Sequence, residues 1–313
     1  MSVYLVTGGA GFIGSNIAKA LIEKGETVKI FDNFLTGRQE NLEEIKNSAE
    51  IITGDIKDLE KLRSSFKKVD FVLHQAALCS VPRSINDPVS TNANNVDGTL
   101  NVLLASRDNN VKRVVFASSS SVYGDTKIMP KTEDLPLNPA SPYAVSKLAA
   151  EHYCRVFYRN FGLETVILRY FNVFGPNQNP DSEYAAVIPR FVRTIIKEQN
   201  PIIYGDGTQT RDFTNILNVV QANLRACASE ENVAGESFNV AFGNQITVNE
   251  LFEKIRKLLN SDIKPLYNEM RKGEVIHSLA DISKARKFLG YDPMVDLDKG
   301  LSLTVEYYKK HIK

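Results

Sequence analysis

Short apolar runs alternate along the first half of the chain with stretches in which apolar residues return every three or four positions. The runs are "VYLVTG", "TVKIFD", "EIITGD", "VDFVLHQAA", "VKRVVFASS" and "ETVILRY"; the helical pattern covers Phe12 to Glu23, 87–108 and 142–161. Strands that are apolar nearly throughout suit a sheet with helices on both faces, and regular alternation of strand with helix predicts an α/β fold built on a doubly wound parallel sheet. After Tyr170 the order loosens into the Pro- and Asn-rich "GPNQNPDSEY", which marks a change of role rather than a flexible linker. Helices are expected near 184–198, 215–229, 247–259 and 297–311, with short strands around "IIYG" and "SFNVA". The expected division is a large first domain, 1–169 with a return segment near 212–240, and a smaller C-terminal α/β domain from 170–211 and 241–313. A cleft between them is the expected ligand site.

Composition narrows the partners. Lysine and arginine total 38 against 37 acidic residues, so no net field points to nucleic acid or an anionic membrane. The longest apolar runs, "RVVFAS" and "VILRYFNVF", fall far short of a membrane span, and the N-terminus lacks a basic segment followed by an apolar one; a cytoplasmic protein is expected. Cys79, Cys154 and Cys227 are odd in number, widely separated and away from histidines, which fits reduced thiols and no metal site.

Two ends of the first domain carry chemistry. In "VYLVTGGAGFIGS", Gly9, Gly11 and Gly14 have dinucleotide-binding spacing, and Gly8, Gly11 and Gly14 also fit a GxxGxxG variant. Glycine there makes a tight turn and lets backbone approach a pyrophosphate at a helix N-terminus, as in a Rossmann βαβ unit. The next strand ends in Asp32, where a carboxylate accepts from ribose hydroxyls and repels a 2′-phosphate. NAD is therefore favoured over NADP, with Arg38 nearby as the one contrary feature. Asp55 and Ile56 follow the third strand and are placed to read adenine.

At the other end, "FASSSSVYG" closes a strand with four serines, and "SPYAVSKLAAEHY" sets Tyr143 and Lys147 one helical turn apart on one face. An unperturbed phenol titrates near pH 10, so it is a poor base at neutrality unless positive charge favours phenolate. Lys147 and an oxidised nicotinamide are expected to supply that charge. The phenol then takes a hydroxyl proton as hydride leaves the same carbon, and a serine hydroxyl bonds the developing carbonyl oxygen. Ser118, Ser119, Ser120 and Ser121 all fit the serine role on this argument.

Together "TGGAGFIG", "SSSSVYG", "YAVSK" and "RYFNVFGP" resemble the extended short-chain dehydrogenase/reductase superfamily over essentially the whole chain. Within it, "HQAALCSVPRSINDP", "YAAVIPRF", "GDGTQTRDF" and "KGEVIHSLADISKA" most resemble UDP-hexose 4-epimerases, particularly those acting on N-acetylated sugars. The resemblance implies that the catalytic set is Ser119, Tyr143 and Lys147. It implies NAD contacts at Gly8, Gly11, Phe12, Ile13, Gly14, Asp32, Asn33, Asp55, Ile56, the turn of Gln75, Ala76 and Ala77, Asn95, Tyr143, Lys147 and Tyr170. It implies UDP-sugar contacts at Cys79, Arg83, Ser119, Ser120, Asn172, Ala186, Val187, Tyr204, Arg211, Arg271, Glu274 and Ser278. Diphosphate recognition by Arg211 and Arg271 also makes independent sense, since a planar guanidinium is a bidentate donor.

By the same resemblance the reaction is epimerisation at C4 through a 4-keto sugar, with NAD retained, and UDP-GlcNAc and UDP-GalNAc as the pair interconverted, with UDP-Glc and UDP-Gal alongside. Small residues at Cys79, Ala186 and Ser278 leave room for an acetamido group; enzymes limited to plain hexoses carry tyrosine at the place of Ser278, while strict N-acetyl enzymes often have glycine at that of Cys79. Dehydratases carry an acidic pair where Ser120 and Ser121 stand, and uronate enzymes usually show threonine in place of Asn172. After "RDF" the chain departs from the usual pattern, reading Thr214-Asn215-Ile216-Leu217-Asn218. The competing readings are an epimerase of plain hexoses only, a dehydratase or uronate epimerase, and a nucleotide-binding protein without turnover. Helices 87–108 and 142–161 resemble those that pair in family homodimers through a four-helix bundle; their apolar stripes equally suit burial within one subunit.

Overall fold

The structure is a computed structural model that describes residues 1–180, 186–230, 232–270 and 276–312. Arg271, Glu274 and the expected start of the helix near 184 lie outside the described residues. The first half runs β1 (Val3–Thr7), α1 (Phe12–Glu23), β2 (Thr27–Asp32), β3 (Ala49–Thr53), α2 (Leu59–Ser65), β4 (Phe71–His74), α3 (Val81–Asn86), α4 (Pro88–Asn92), α5 (Gly98–Asp108), β5 (Arg113–Ser119), α6 (Pro142–Phe161) and β6 (Glu164–Tyr170). The second half adds β7 (Val173–Phe174), α7 (Val187–Ile196), β8 (Ile202–Tyr204), β9 (Thr210–Arg211), β10 (Thr214–Asn215), α8 (Ile216–Ala228), β11 (Ser237–Val240), β12 (Ile246–Thr247), α9 (Val248–Leu258), β13 (Leu266–Asn268), α10 (Ser283–Leu289) and α11 (Leu297–His311).

Seven strands form one parallel sheet in the order β11-β6-β5-β4-β1-β2-β3. The order reverses between β1 and β4, and ligands of such sheets bind outside the strand C-termini at that switch point. One apolar core packs α1 and α8 on the sheet through Ile17, Leu21, Val219 and Val115; the other packs α2, α5 and α6 through Leu62, Val102, Phe157 and Val114. The alternation of Val114 and Val115 between cores is the strand period at work. A third core joins α7, α9 and α11 through Phe191, Phe252 and Leu301, away from the sheet.

α6 spans the expected 142–161 because both ends carry strong stop signals. Ser141 caps Ala144 N at 3.2 Å, Pro142 fits the first turn, and Gly162 closes the helix in the left-handed conformation. The expected helix 87–108 is instead α4 and α5 joined through a π turn at Ala93–Asp97, with α3 a separate helix ahead of it. Asp87 caps Ser90 N at 3.0 Å with Pro88 in the first turn, which divides α3 from α4. β3 also differs from the expectation of buried apolar strands. It is the sheet edge, with Glu50, Ile51 and Thr53 exposed. No described helix is long and apolar enough to cross a membrane.

Candidate active site

The glycine turn is fixed by backbone crowding. Gly8 has φ +67°, where a side chain is strained, and a Cβ on it would lie 2.7 Å from Ala76 N and Cα. A Cβ on Gly14 would lie 2.2 Å from the Gly8 carbonyl oxygen, so the first turn of α1 sits directly on the loop. Asp32, at the end of β2, accepts from Ala10 N at 2.9 Å and Phe34 N at 2.8 Å, while its burial raises the carboxyl above its ordinary range. Gly8, residues Gly11 to Gly14, Asp32, Asn33 and Ile56 border a cleft of about 750 Å³ that reaches the Gln75–Ala77 turn, Cys79, Arg83 and Ala186. Asp55 stands just behind, accepting from Asn33 Nδ2 at 3.1 Å.

Ser119 ends β5 and Tyr143 opens α6; Ser119 and Cys79, which borders the cleft, are the neighbours that act on the Tyr143 hydroxyl. Burial holds the phenol well above its ordinary value, Cys79 pushes the same way, and the Ser119 bond works against both. Lys147, the expected source of positive charge beside the phenol, is itself buried. Lys147 Nζ donates to Ala117 O at 2.8 Å over the Phe116 ring, and burial lowers its own pKa. The four serines separate: Ser119 and Ser121 bond one another at 2.9 Å, Ser120 begins the 3₁₀ turn Ser120–Tyr123, and Ser118 donates to buried Glu151 at 2.6 Å.

Two expected cofactor positions are committed to protein partners. Asn95 is buried, donates to Leu78 O and Ser146 Oγ, and accepts from Leu78 N at 2.8 Å, so it pins the turn leading to Cys79. The Tyr170 hydroxyl bridges Gln75 and Asn223 at 3.2 and 3.1 Å. On the far side, Asp212 gathers the expected substrate positions. Its carboxylate accepts from the backbone of Phe242, Gly243 and Ala280, and Asn172 Nδ2 donates to its carbonyl at 3.0 Å. Arg211 Nη1 donates to Ile276 O at 3.0 Å, which puts it beside buried Ser278. Tyr204 lies under Arg190, 5.5 Å from its guanidinium, and Val187 begins α7. Sequence reasoning missed Asp212, although it sits in the quoted "RDF", and Glu151, which follows Lys147 by one turn.

Residues 4–241 match the model of the NAD dependent epimerase/dehydratase family. The chain belongs to this family. A UDP-N-acetylglucosamine 4-epimerase from Methanobrevibacter ruminantium M1, solved with UDP-N-acetylmuramic acid, is 42% identical with a TM-score of 0.95 and 99% coverage of both chains. A UDP-glucose 4-epimerase from Thermotoga maritima, solved with UDP-glucose, is 37% identical with a TM-score of 0.95, covering 99% of this chain and 100% of that one. A putative UDP-glucose 4-epimerase from Methanocaldococcus jannaschii is 42% identical over 310 residues, 98% of each chain. The protein is thus an enzyme of an NAD-dependent family, and its residues fit the cofactor. The α1 N-terminus follows Gly11 with no side-chain cap, leaving amide donors for a pyrophosphate, and Asp32 keeps acceptor capacity beyond its two backbone bonds.

Proposed function

We propose that this protein is an NAD-dependent UDP-sugar 4-epimerase that interconverts UDP-GlcNAc and UDP-GalNAc, and UDP-Glc and UDP-Gal alongside. The observation that carries the reading is the gathering of Ser119, Tyr143 and Lys147 at the end of β5, beside a cleft bordered by the glycine turn, Asp32 and Cys79. Bound NAD supplies a reversible hydride acceptor for the sugar C4 carbon. Tyr143 takes the C4 hydroxyl proton as that hydride leaves and returns a proton when the hydride comes back on the other face. Ser119 donates to the oxygen on which charge develops, and Lys147 anchors the helix that presents the phenol. The glycine turn, Asp32, Asn33 and the Gln75–Ala77 turn are the proposed cofactor contacts. Asn172, Arg211 and the segment around Ser278 are the proposed UDP-sugar contacts. Residues 1–169, with the return near 212–240, form the NAD-binding domain in this reading; 170–211 and 241–313 form the UDP-sugar-binding domain.

The choice of sugar rests on two supports: the 42% identity to a UDP-N-acetylglucosamine 4-epimerase, and the small side chains of Cys79, Ala186 and Ser278. Incubation with UDP-GlcNAc and with UDP-Glc, without added NAD, should convert both; release of a 4-keto-6-deoxy product would make it a dehydratase instead. Ser278→Tyr adds a phenol at a buried position and should cost UDP-GlcNAc at least about tenfold more in kcat/KM than UDP-Glc, the size of a steric exclusion in a packed pocket. Equal losses on both sugars would remove Ser278 from the specificity argument.

A homodimer through the helical segments 87–108 and 142–161, here α4 to α5 and α6, belongs to the same proposal. α6 leaves Val145 and Val156, eleven residues apart and so on one side of the helix, exposed, and α4 leaves Val89 77% exposed. Val156→Glu should turn a dimer into a monomer by light scattering; a wild-type monomer at micromolar concentration would end this part of the reading.

A further inference from the structure

One buried carboxylate ties β5 and α6, the two elements that carry the reacting groups, to each other and to β6. Glu151 lies on α6, one turn beyond Lys147, with its side chain wholly buried. Its Oε1 accepts from Ser118 Oγ at 2.6 Å and from Arg169 Nε at 2.9 Å; its Oε2 accepts from Arg169 Nη2 at 2.8 Å and Arg155 Nη2 at 3.1 Å. Burial alone would raise its pKa, but the Arg169 contacts outweigh it and hold the carboxylate ionised.

The register makes the placement informative. Ser118 pairs with Arg169 across β5 and β6, and the next pair is Ser119 with Tyr170. Successive strand residues point to opposite faces, so Glu151 grips one pair while the adjacent pair, Ser119 and Tyr170, points to the other side of the sheet, where Tyr170 meets Asn223 of α8. With Lys147 bonded to Ala117 O, α6 is fastened to the final turn of β5 at two successive residues. Arg169 also donates to the Tyr123 hydroxyl at 2.9 Å, and Arg155 to Ser237 Oγ at 2.6 Å, which carries the lattice of bonds into β11. An ion pair this deep gains little stability over an apolar replacement, so geometric control is the better physical reason for it.

We propose that Glu151 is a positioning residue for the Tyr143 phenol, acting through Ser118 and Arg169 to set the distance between the start of α6 and Ser119. The proposal rests on Tyr143 being the base. Glu151→Gln leaves Arg169 without its counter-charge and puts the fold at risk, so Ser118→Ala, which removes only the tie to β5, carries the test. The Ser118→Ala enzyme should lose about tenfold in kcat, because small misplacement of a reacting group is costly. Its KM, bound NAD and melting temperature should stay near wild type, and Ser118→Thr should restore kcat.

A second readout needs no substrate. The titration of Tyr143, taken as the 295 nm absorbance difference between each protein and its Tyr143→Phe counterpart, should move to higher pH in Ser118→Ala, because a loosened Ser119 bond favours phenolate less. The acid limb of kcat should move with it. Unchanged kcat and an unchanged phenol titration, with or without a lower melting temperature, would make the clamp merely structural and overturn the proposal. If wild-type protein converts no UDP-sugar, the reading of Tyr143 as base fails, and the titration still decides whether Glu151 positions that phenol.

Discussion

Tyr143→Phe is expected to lower kcat by about a thousandfold, or roughly 4 kcal/mol of transition-state stabilisation, which is what loss of a well-placed proton acceptor removes. The change deletes a single oxygen, so NAD content and UDP affinity should hold. Single-turnover reduction of bound NAD by UDP-GlcNAc measures the hydride step directly. A rate within tenfold of wild type would mean that another group takes the proton. The wild-type enzyme should also show a kcat/KM that rises with pH from neutrality, because burial keeps the free phenol above its ordinary value and only the ionised fraction accepts a proton. A flat profile between pH 6 and about 9 would place the controlling group elsewhere.

Gly14→Ala is expected to empty the enzyme of cofactor. The added methyl carbon would sit 2.2 Å from the Gly8 carbonyl oxygen and 2.8 Å from Gly9 Cα, both backbone atoms that no rotamer change can move aside. Relief requires the loop to part from α1, which spoils the row of amides facing the pyrophosphate. Overpacking of this kind costs about 1–3 kcal/mol in stability, so the protein should still fold with a lowered melting temperature. Its NAD content after purification should fall below about a tenth of wild type, since anion binding there depends on the helix N-terminus meeting the loop. Acid release and quantitation of the nucleotide checks this; a variant that retains its full NAD would mean the loop can open without losing the cradle.

What reads from sequence and what does not follows the range of the interactions. α1, α6 and α11 appear at their expected bounds because their limits are local: a glycine turn, Ser141 and Gly162, Asp296. β7, β9, β10, β12 and β13 escaped notice because two or three residues are too few to display a period. α2 and α10, each seven residues long, escaped for a similar reason. The division of 81–108 into α3, α4, a π turn and α5 was present locally in Ser80, Asp87 and Pro88, but an apolar pattern that runs across all of them conceals it.

The candidate site divides the same way. The glycine spacing, Asp32, and the Tyr143–Lys147 turn are short-range patterns and could be named before any coordinates. The sequence by itself thus determined the parallel α/β sheet and the dinucleotide end and brought forward the proposed proton-handling residues, since backbone crowding and helical spacing act between near neighbours. Only the tertiary structure decided that Ser118 turns away to Glu151 while Ser119 meets the phenol, and that Lys147 spends its charge on Ala117. It alone brought Asn172 and the segment from Ile276 to Ala280 to the Arg211–Asp212 pair from two distant parts of the chain. Burial sets those outcomes, and burial is a property of everything packed around a side chain, which no stretch of neighbouring residues records.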